Sequence, residues 1–100
     1  MLTVQLTSHF QEWLDDLTDK RAQIRIVARL RQAESGNLGD WKPIGGALSE
    51  LKVHFGPGYR LYFSRRGNVL IVVVAGGTKS TQARDIRRAK QILEDLEPEL

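Results

Sequence analysis

The chain has 100 residues, 41% of them hydrophobic, enough for one domain with a modest core spanning residues 1–100. It has no cysteine, which excludes a disulfide framework and thiolate chemistry, and its two histidines argue against a dedicated zinc site. Lysine and arginine exceed aspartate and glutamate by 15 to 12, a net charge of +3 that mildly favours an anionic partner such as nucleic acid.

From the start, Leu2, Val4 and Leu6 alternate with Thr3 and Gln5, so Met1 to Leu6 reads as a short strand. The opening MLTVQLTSHF lacks the basic and apolar regions of a signal peptide, which predicts a cytoplasmic chain. Ser8 is placed to cap a helix with Phe10, Trp13, Leu14 and Leu17 on one stripe and Glu12 in its first turns. Asp19 caps a second helix from Lys20 to about Ser35. Ala22, Ile26, Leu30 and Ala33 form its apolar stripe, and Ile24 and Val27 widen it. The short spacing between the two predicts a helical hairpin, and Gly36 stops the second helix. Asn37 to Gly46, with Gly39, Asp40, Pro43 and Gly45-Gly46, has the chemistry of a connection.

Leu48 to Ala75 reads as three consecutive antiparallel strands, broken at Gly56-Pro57-Gly58 and at Arg65-Arg66-Gly67-Asn68. A loop confined to Gly56–Gly58 puts Phe55 opposite Tyr59, His54 opposite Arg60, Val53 opposite Leu61 and Lys52 opposite Tyr62. Alternation then gathers Leu51, Val53, Phe55, Leu61 and Phe63 on a core face. Glu50, Lys52, His54, Arg60, Tyr62 and Ser64 gather on a solvent face dense in reactive groups. Val69 to Val74 is apolar on both parities, as in a strand covered on both faces or central in its sheet, and is too short to cross a bilayer. Gly76-Gly77 forms a tight turn to a last helix, capped by Thr78 or Ser80 and running to about Leu96. The core stripe of that helix is Ala83, Ile86, Ala89 or Lys90, and Leu93. Arg84, Arg87, Arg88 and Lys90 give it a basic side, and Pro98 ends it. The predicted architecture is an α+β domain of order β-α-α-β-β-β-α, with an antiparallel sheet packed against helices.

The segments Gly39-Asp40-Trp41-Lys42, Leu48-Ser49-Glu50-Leu51-Lys52, Gly56-Pro57-Gly58-Tyr59-Arg60-Leu61-Tyr62-Phe63 and Gly76-Gly77-Thr78-Lys79-Ser80-Thr81-Gln82-Ala83-Arg84-Asp85-Ile86 carry a resemblance. They resemble the addiction-module killer proteins, the HigB-like, phage-related branch of the RelE/ParE toxin superfamily, and the likeness covers nearly the whole chain. It implies a RelE/ParE-like fold and the toxin of a type II toxin–antitoxin pair. The implied partner is a cognate helix-turn-helix antitoxin, through which alone the chain would meet an operator DNA. RelE-like members cut mRNA on the ribosome without a metal or other cofactor, with the substrate's 2′-hydroxyl as nucleophile. By motif position, Lys52 and Arg60 match the family's strand lysine and the arginine of Gly-Tyr-Arg, and Lys79 lies near a second basic position. RelE and HigB relatives carry an aromatic residue or histidine near the C-terminus for acid/base work, and Arg84 to Leu100 has neither. ParE-like relatives use the fold to poison gyrase without cleaving RNA, and a decayed module that only binds its antitoxin is a third outcome.

Phosphodiester cleavage needs positive charge on a phosphorane and a base for the 2′-proton. Lys52 and Arg60 supply the charge, and arginine can hold phosphate through two parallel hydrogen bonds. His54, beside both cations and neutral near pH 7, offers Nε2 as the base, with Glu50 on the same face as the alternative. Tyr62, Lys79, Trp41 and Arg84 are candidate RNA contacts. Trp41 either stacks on a base or anchors its loop, and Lys79 with Gly76-Gly77 either holds a phosphate or completes a turn. The GxxxxGK[ST] spacing of a nucleotide-binding loop is absent, and no metal or membrane is expected. His9 and Trp13 read as surface and packing.

Overall fold

The structure, a computed structural model, describes residues 2–97; the expected roles of Met1 and of Pro98 as helix stop lie outside them. The elements are β1 (Thr3–Leu6), α1 (Ser8–Asp15), α2 (Lys20–Glu34), β2 (Trp41–Gly45), β3 (Leu48–Val53), β4 (Tyr59–Arg66), β5 (Leu70–Thr78), a 3₁₀ turn (Lys79–Thr81) and α3 (Gln82–Leu96). The class is α+β, a five-stranded mixed sheet in the order β1-β5-β4-β3-β2 with three α-helices. Two expectations are corrected. The sheet is not wholly antiparallel, because β1 pairs with β5 in parallel. The segment read as a connection supplies a strand, β2, which joins β3 at the sheet's edge. Pro43, which cannot donate to a ladder, is tolerated on an edge strand, and the pairing shifts between Pro43 and Gly45. Turn residues concealed the strand: Gly46 adopts φ 57° in the tight link to β3.

α2 keeps its expected span, but α1 stops at Asp15, short of Leu17. α3 starts at Gln82 with Thr81 rather than Thr78 or Ser80 at its N-cap, and Thr78 stands at the N-cap of the 3₁₀ turn before it. Asp19 accepts from the Arg21 and Ala22 amides at 3.0 and 3.4 Å. Thr7, not Ser8, caps α1, because its hydroxyl accepts from the Phe10 amide at 3.1 Å and donates to the Val74 carbonyl at 2.8 Å. A long-range bond to the sheet thus places the cap one residue earlier. Gly36 follows the end of α2 at φ 98°, as a left-handed stop requires. Ile24 and Val27 do not join the buried stripe; they are 68% and 36% exposed, while Ala22, Ile26, Leu30 and Ala33 are buried.

Two apolar layers form, one on each side of the sheet. Leu51, Val53, Leu61, Phe63, Ile71 and Val73 pack against Phe10, Leu14, Ile26 and Leu30 of α1 and α2. On the other side Leu48, Tyr62, Val72, Val74 and Ala75 pack against Ala89 and Leu93 of α3. Val74 and Ala75 share this side because the β4–β5 register shifts between Tyr62 and Phe63. Of the stripe expected on α3, Ala89 and Leu93 are buried and Ile86 half-buried, whereas Ala83 and Lys90 are exposed. The face expected to meet solvent is therefore the floor of a second core layer. That overturns the reading of it as an open surface.

Candidate functional site under the last helix

The β3–β4 ladder pairs Val53 with Tyr59, Lys52 with Arg60, Leu51 with Leu61 and Glu50 with Tyr62. Arg60 faces Lys52 rather than His54, a slip of two residues from the expected register. An even slip leaves every side chain on its expected face, so the sorting survives while the neighbours change. The loop is longer than Gly56–Gly58 because Phe55 leaves the ladder. Its ring lies 5.8 and 5.0 Å below the guanidinium groups of Arg21 and Arg25 on α2, and its carbonyl accepts from the Gly58 amide at 3.1 Å.

Glu50 and Tyr62 are fully buried and Arg60 is 8% exposed, while Lys52 is half-buried. Gln82 Nε2, in the first turn of α3, donates to Glu50 Oε2 at 3.1 Å, and Lys42 Nζ lies 3.9 Å from Oε1. Glu50 Oε1, Arg60 Nε, the Tyr62 hydroxyl and Ser64 Oγ have no hydrogen-bond partner among the described residues. Buried polar groups are normally paired, so this is a concentration of unmet polar capacity. Burial first, then the charges of Glu50 and Asp85, push the Tyr62 phenol up to about 12 against the opposing pull of Arg60.

His54 lies beyond the strand, exposed, with Nε2 2.6 Å from Asp40 Oδ2. This corrects the expectation that its Nε2 is the free base beside Arg60; among the described residues the nitrogen left open is Nδ1. The hydrogen bond from His54 is the largest cause holding the Asp40 carboxyl below its usual range. Desolvation opposes it, and the charges of His54, Lys52 and Arg29 add to it. Sequence reading missed Arg29 and Asp40. Arg29 donates to the carbonyls of Lys52 at 2.5 Å and Leu38 at 2.9 Å, and the Lys52 amide donates to the Asp40 carbonyl at 2.9 Å. A Cβ at Gly39, φ 65°, would stand 2.6 Å from Arg29 Nη2, so glycine is what admits this clasp. Only Gly39 itself signalled it in sequence.

The remaining candidates are spread out. Trp41 is 38% exposed on β2 with its ring centroid 6.0 Å from that of Phe63, so it anchors its strand and keeps an open edge. Lys79 is exposed, and its amide donates to the Gly58 carbonyl at 2.8 Å, tying the turn before α3 to the β3–β4 loop. Arg84 is exposed, with Nε 3.7 Å from Asp85 Oδ1. Gly76 and Gly77 are not a turn; both lie in β5, paired with Leu61 and Arg60. A Cβ at Gly76 would enter the Trp13 ring, and one at Gly77 would enter the Asp85 carboxylate. His9 lines the same cleft as these residues. The structure thus gathers Lys52, Arg60, Glu50 and Tyr62, and separates from them His54, Trp41 and Arg84. Among the described residues no group of three or more histidine or acidic side chains is arranged to hold a metal ion, and no helix is long and apolar enough to cross a membrane.

This arrangement defines an α+β protein with helices on both faces of a mixed sheet and a buried polar cluster under the last helix. The chain belongs to the same family as an uncharacterized protein of Haemophilus influenzae, with 38% identity over 97 residues, 95% of this chain and 98% of that one. The fold is similar to the solution structure of a conserved hypothetical protein of Helicobacter pylori. That likeness has a TM-score of 0.56 and 17% identity, over 80% of this chain and 97% of that one. No protein-family model matches the chain.

Proposed function

We propose that this chain has the RelE-like topology and is the toxin of a type II toxin–antitoxin module, a metal-independent endoribonuclease of the cytoplasm that acts on mRNA at the ribosome. A cognate helix-turn-helix antitoxin neutralises it and provides its only link to operator DNA. The motif likeness from Gly39 to Ile86 supports the reading, and the observation that carries it is the ladder pair Lys52 and Arg60. Two like charges set directly opposite one another destabilise a sheet, and a bound phosphate would offset that cost. In the reaction the 2′-oxygen bonds to phosphorus and the bond to the 5′-oxygen breaks, leaving a 2′,3′-cyclic phosphate and a 5′-hydroxyl. The 2′-proton passes to a carboxylate or imidazole acceptor and the leaving oxygen takes up a proton. Glu50 is two residues from Lys52 on the same face, about 7 Å along the strand. His54, held by Asp40, is the other acceptor and would use Nδ1.

Cleavage of ribosome-bound mRNA should persist in EDTA and produce a cyclic phosphate end. Activity that disappears in EDTA and returns with magnesium would overturn this mechanism. Glu50→Gln and His54→Gln separate the two acceptors, since loss of the true base should slow cleavage about 10²- to 10⁴-fold. The complete burial of Glu50 and Tyr62 under α3 favours a second reading, a toxin that acts by binding gyrase or only its antitoxin. Growth arrest on expression with no RNA cleavage, retained in the double variant Lys52→Ala, Arg60→Ala, would select it.

A further inference from the structure

A cleft of about 390 Å³ lies at the side of β5, beyond the point where pairing with β1 ends at Val73. His9 and Trp13 of α1 line it on one side, and Arg84, Asp85 and Arg88 of α3 on the other. Its size falls within the range of small-ligand sites. Gly76 and Gly77 keep its floor free of side chains, so that the Trp13 ring and the Asp85 carboxylate can close on the strand backbone. It adjoins the Lys52–Arg60 pair without being lined by it, since Gly77 on its floor is the ladder partner of Arg60.

The groups in it are complementary to one kind of ligand. Asp85 is half-buried; its Oδ2 accepts from the Thr81 hydroxyl, while Oδ1 forms an ion pair with Arg84 Nε at 3.7 Å, longer than a hydrogen bond. A carboxylate oxygen accepts more than one hydrogen bond, so Asp85, which lines the cleft, retains acceptor capacity beyond these two partners. Trp13 supplies a half-buried aromatic wall, and aromatic surfaces take nucleobases by stacking. Arg84 and Arg88, one helical turn apart and both exposed at the rim, present guanidinium groups suited to phosphate. An aromatic wall, an acceptor at the base edge and paired guanidiniums at the mouth match a nucleotide whose base offers adjacent donors. Guanine does so through N1–H and its 2-amino group. Adenine and cytosine each place one donor beside a ring nitrogen lone pair that a carboxylate repels, and uracil places one donor between two carbonyls.

We infer that this cleft binds a guanine nucleotide, with Asp85 on the base edge, Trp13 against the ring and Arg84 and Arg88 on the phosphate. The inference goes beyond the ribonuclease reading and does not require it, because binding and cleavage are measured separately. GMP, AMP, CMP and UMP are each titrated into the full-length chain while the amides of Gly76 and Gly77 and the indole N–H of Trp13 are followed by NMR. GMP should move these signals saturably, with AMP, CMP and UMP binding roughly tenfold or more weakly, as expected for losing a two-point carboxylate contact. Guanosine should bind more weakly than GMP. A short single-stranded RNA with one guanine, compared with the same RNA carrying adenine there, distinguishes a site for RNA from one for the free nucleotide. Asp85→Asn should bring GMP and AMP to equal affinity in a chain whose melting shows it folded. Absence of any shift at Trp13, Gly76 and Gly77, or equal shifts with GMP and AMP in the unmodified chain, would overturn the inference whether or not the variant folds.

Discussion

Lys52 and Arg60 are cross-strand partners in the β3–β4 ladder, so two cations face each other on the side of the sheet that α3 covers. Arg60 is 8% exposed and its Nε has no hydrogen-bond partner among the described residues. Replacing either with methionine, an unbranched but shorter apolar side chain, should therefore raise thermal stability. The expected gain is about 0.2–1 kcal/mol, the scale of cross-strand pair effects. The same change should lower RNA cleavage by about 10²-fold or more, as for loss of a charge-stabilising donor. Melting curves and cleavage rates of Lys52→Met and Arg60→Met test both. A fall in stability with unchanged cleavage would show the pair to be structural.

The Asp40–His54 contact predicts an acid-side signature. His54 holds the Asp40 carboxyl below its usual range, so the bound state contributes stability above the ordinary carboxylate value of about 4. That contribution is lost as pH falls below this value through the lowered folded one. Melting temperatures of the parent chain and Asp40→Asn, measured from pH 6 to pH 3, should differ most at the upper end and converge at the lower. Parallel curves would mean that the contact does not persist in solution.

Tyr62 predicts the opposite, alkaline signature. Its phenol is pushed up to about 12, chiefly by burial, so the folded chain keeps the proton after an unfolded tyrosine, near 10, has lost it. Its contribution is complete below pH 10 and declines as pH rises toward 12. Tyr62→Phe should flatten the alkaline decline. It should also be neutral or stabilising near pH 7, because it removes a buried hydroxyl with no partner. Marked destabilisation at pH 7 would reveal a hydrogen bond that Tyr62 makes in solution.

Gly77 and Asp85 should be energetically coupled. A methyl group at Gly77 would collide with the Asp85 carboxylate, so Gly77→Ala should cost about 1–3 kcal/mol, as overpacking does. In the Asp85→Ala background the same change should cost much less, a coupling of at least about 1 kcal/mol for groups in contact. Additive costs in denaturant unfolding would show that the helix end shifts to admit the methyl.

Much of the local structure was legible in the chain itself. The Asp19 cap, the Gly36 stop, the helix stripes through Ile26 and Leu93, and the alternation that assigns Leu51 and Leu61 to one face and Glu50 and Arg60 to the other depend on neighbouring residues. Even the misjudged β3–β4 loop spared the face assignment, because a slip of two residues preserves the pleat. Alternation states which side chains share a face and is silent on what lies over it. Only the tertiary structure decided that Ala89 and Leu93 bring α3 onto Leu48, Tyr62 and Val72, converting an expected solvent face into a core layer. The same holds for contacts between distant parts of the chain: β1 beside β5, Asp40 on His54, Trp13 against Gly76 and Asp85 against Gly77. Such appositions arise from how apolar surfaces pack between elements, and no periodicity within one element encodes them.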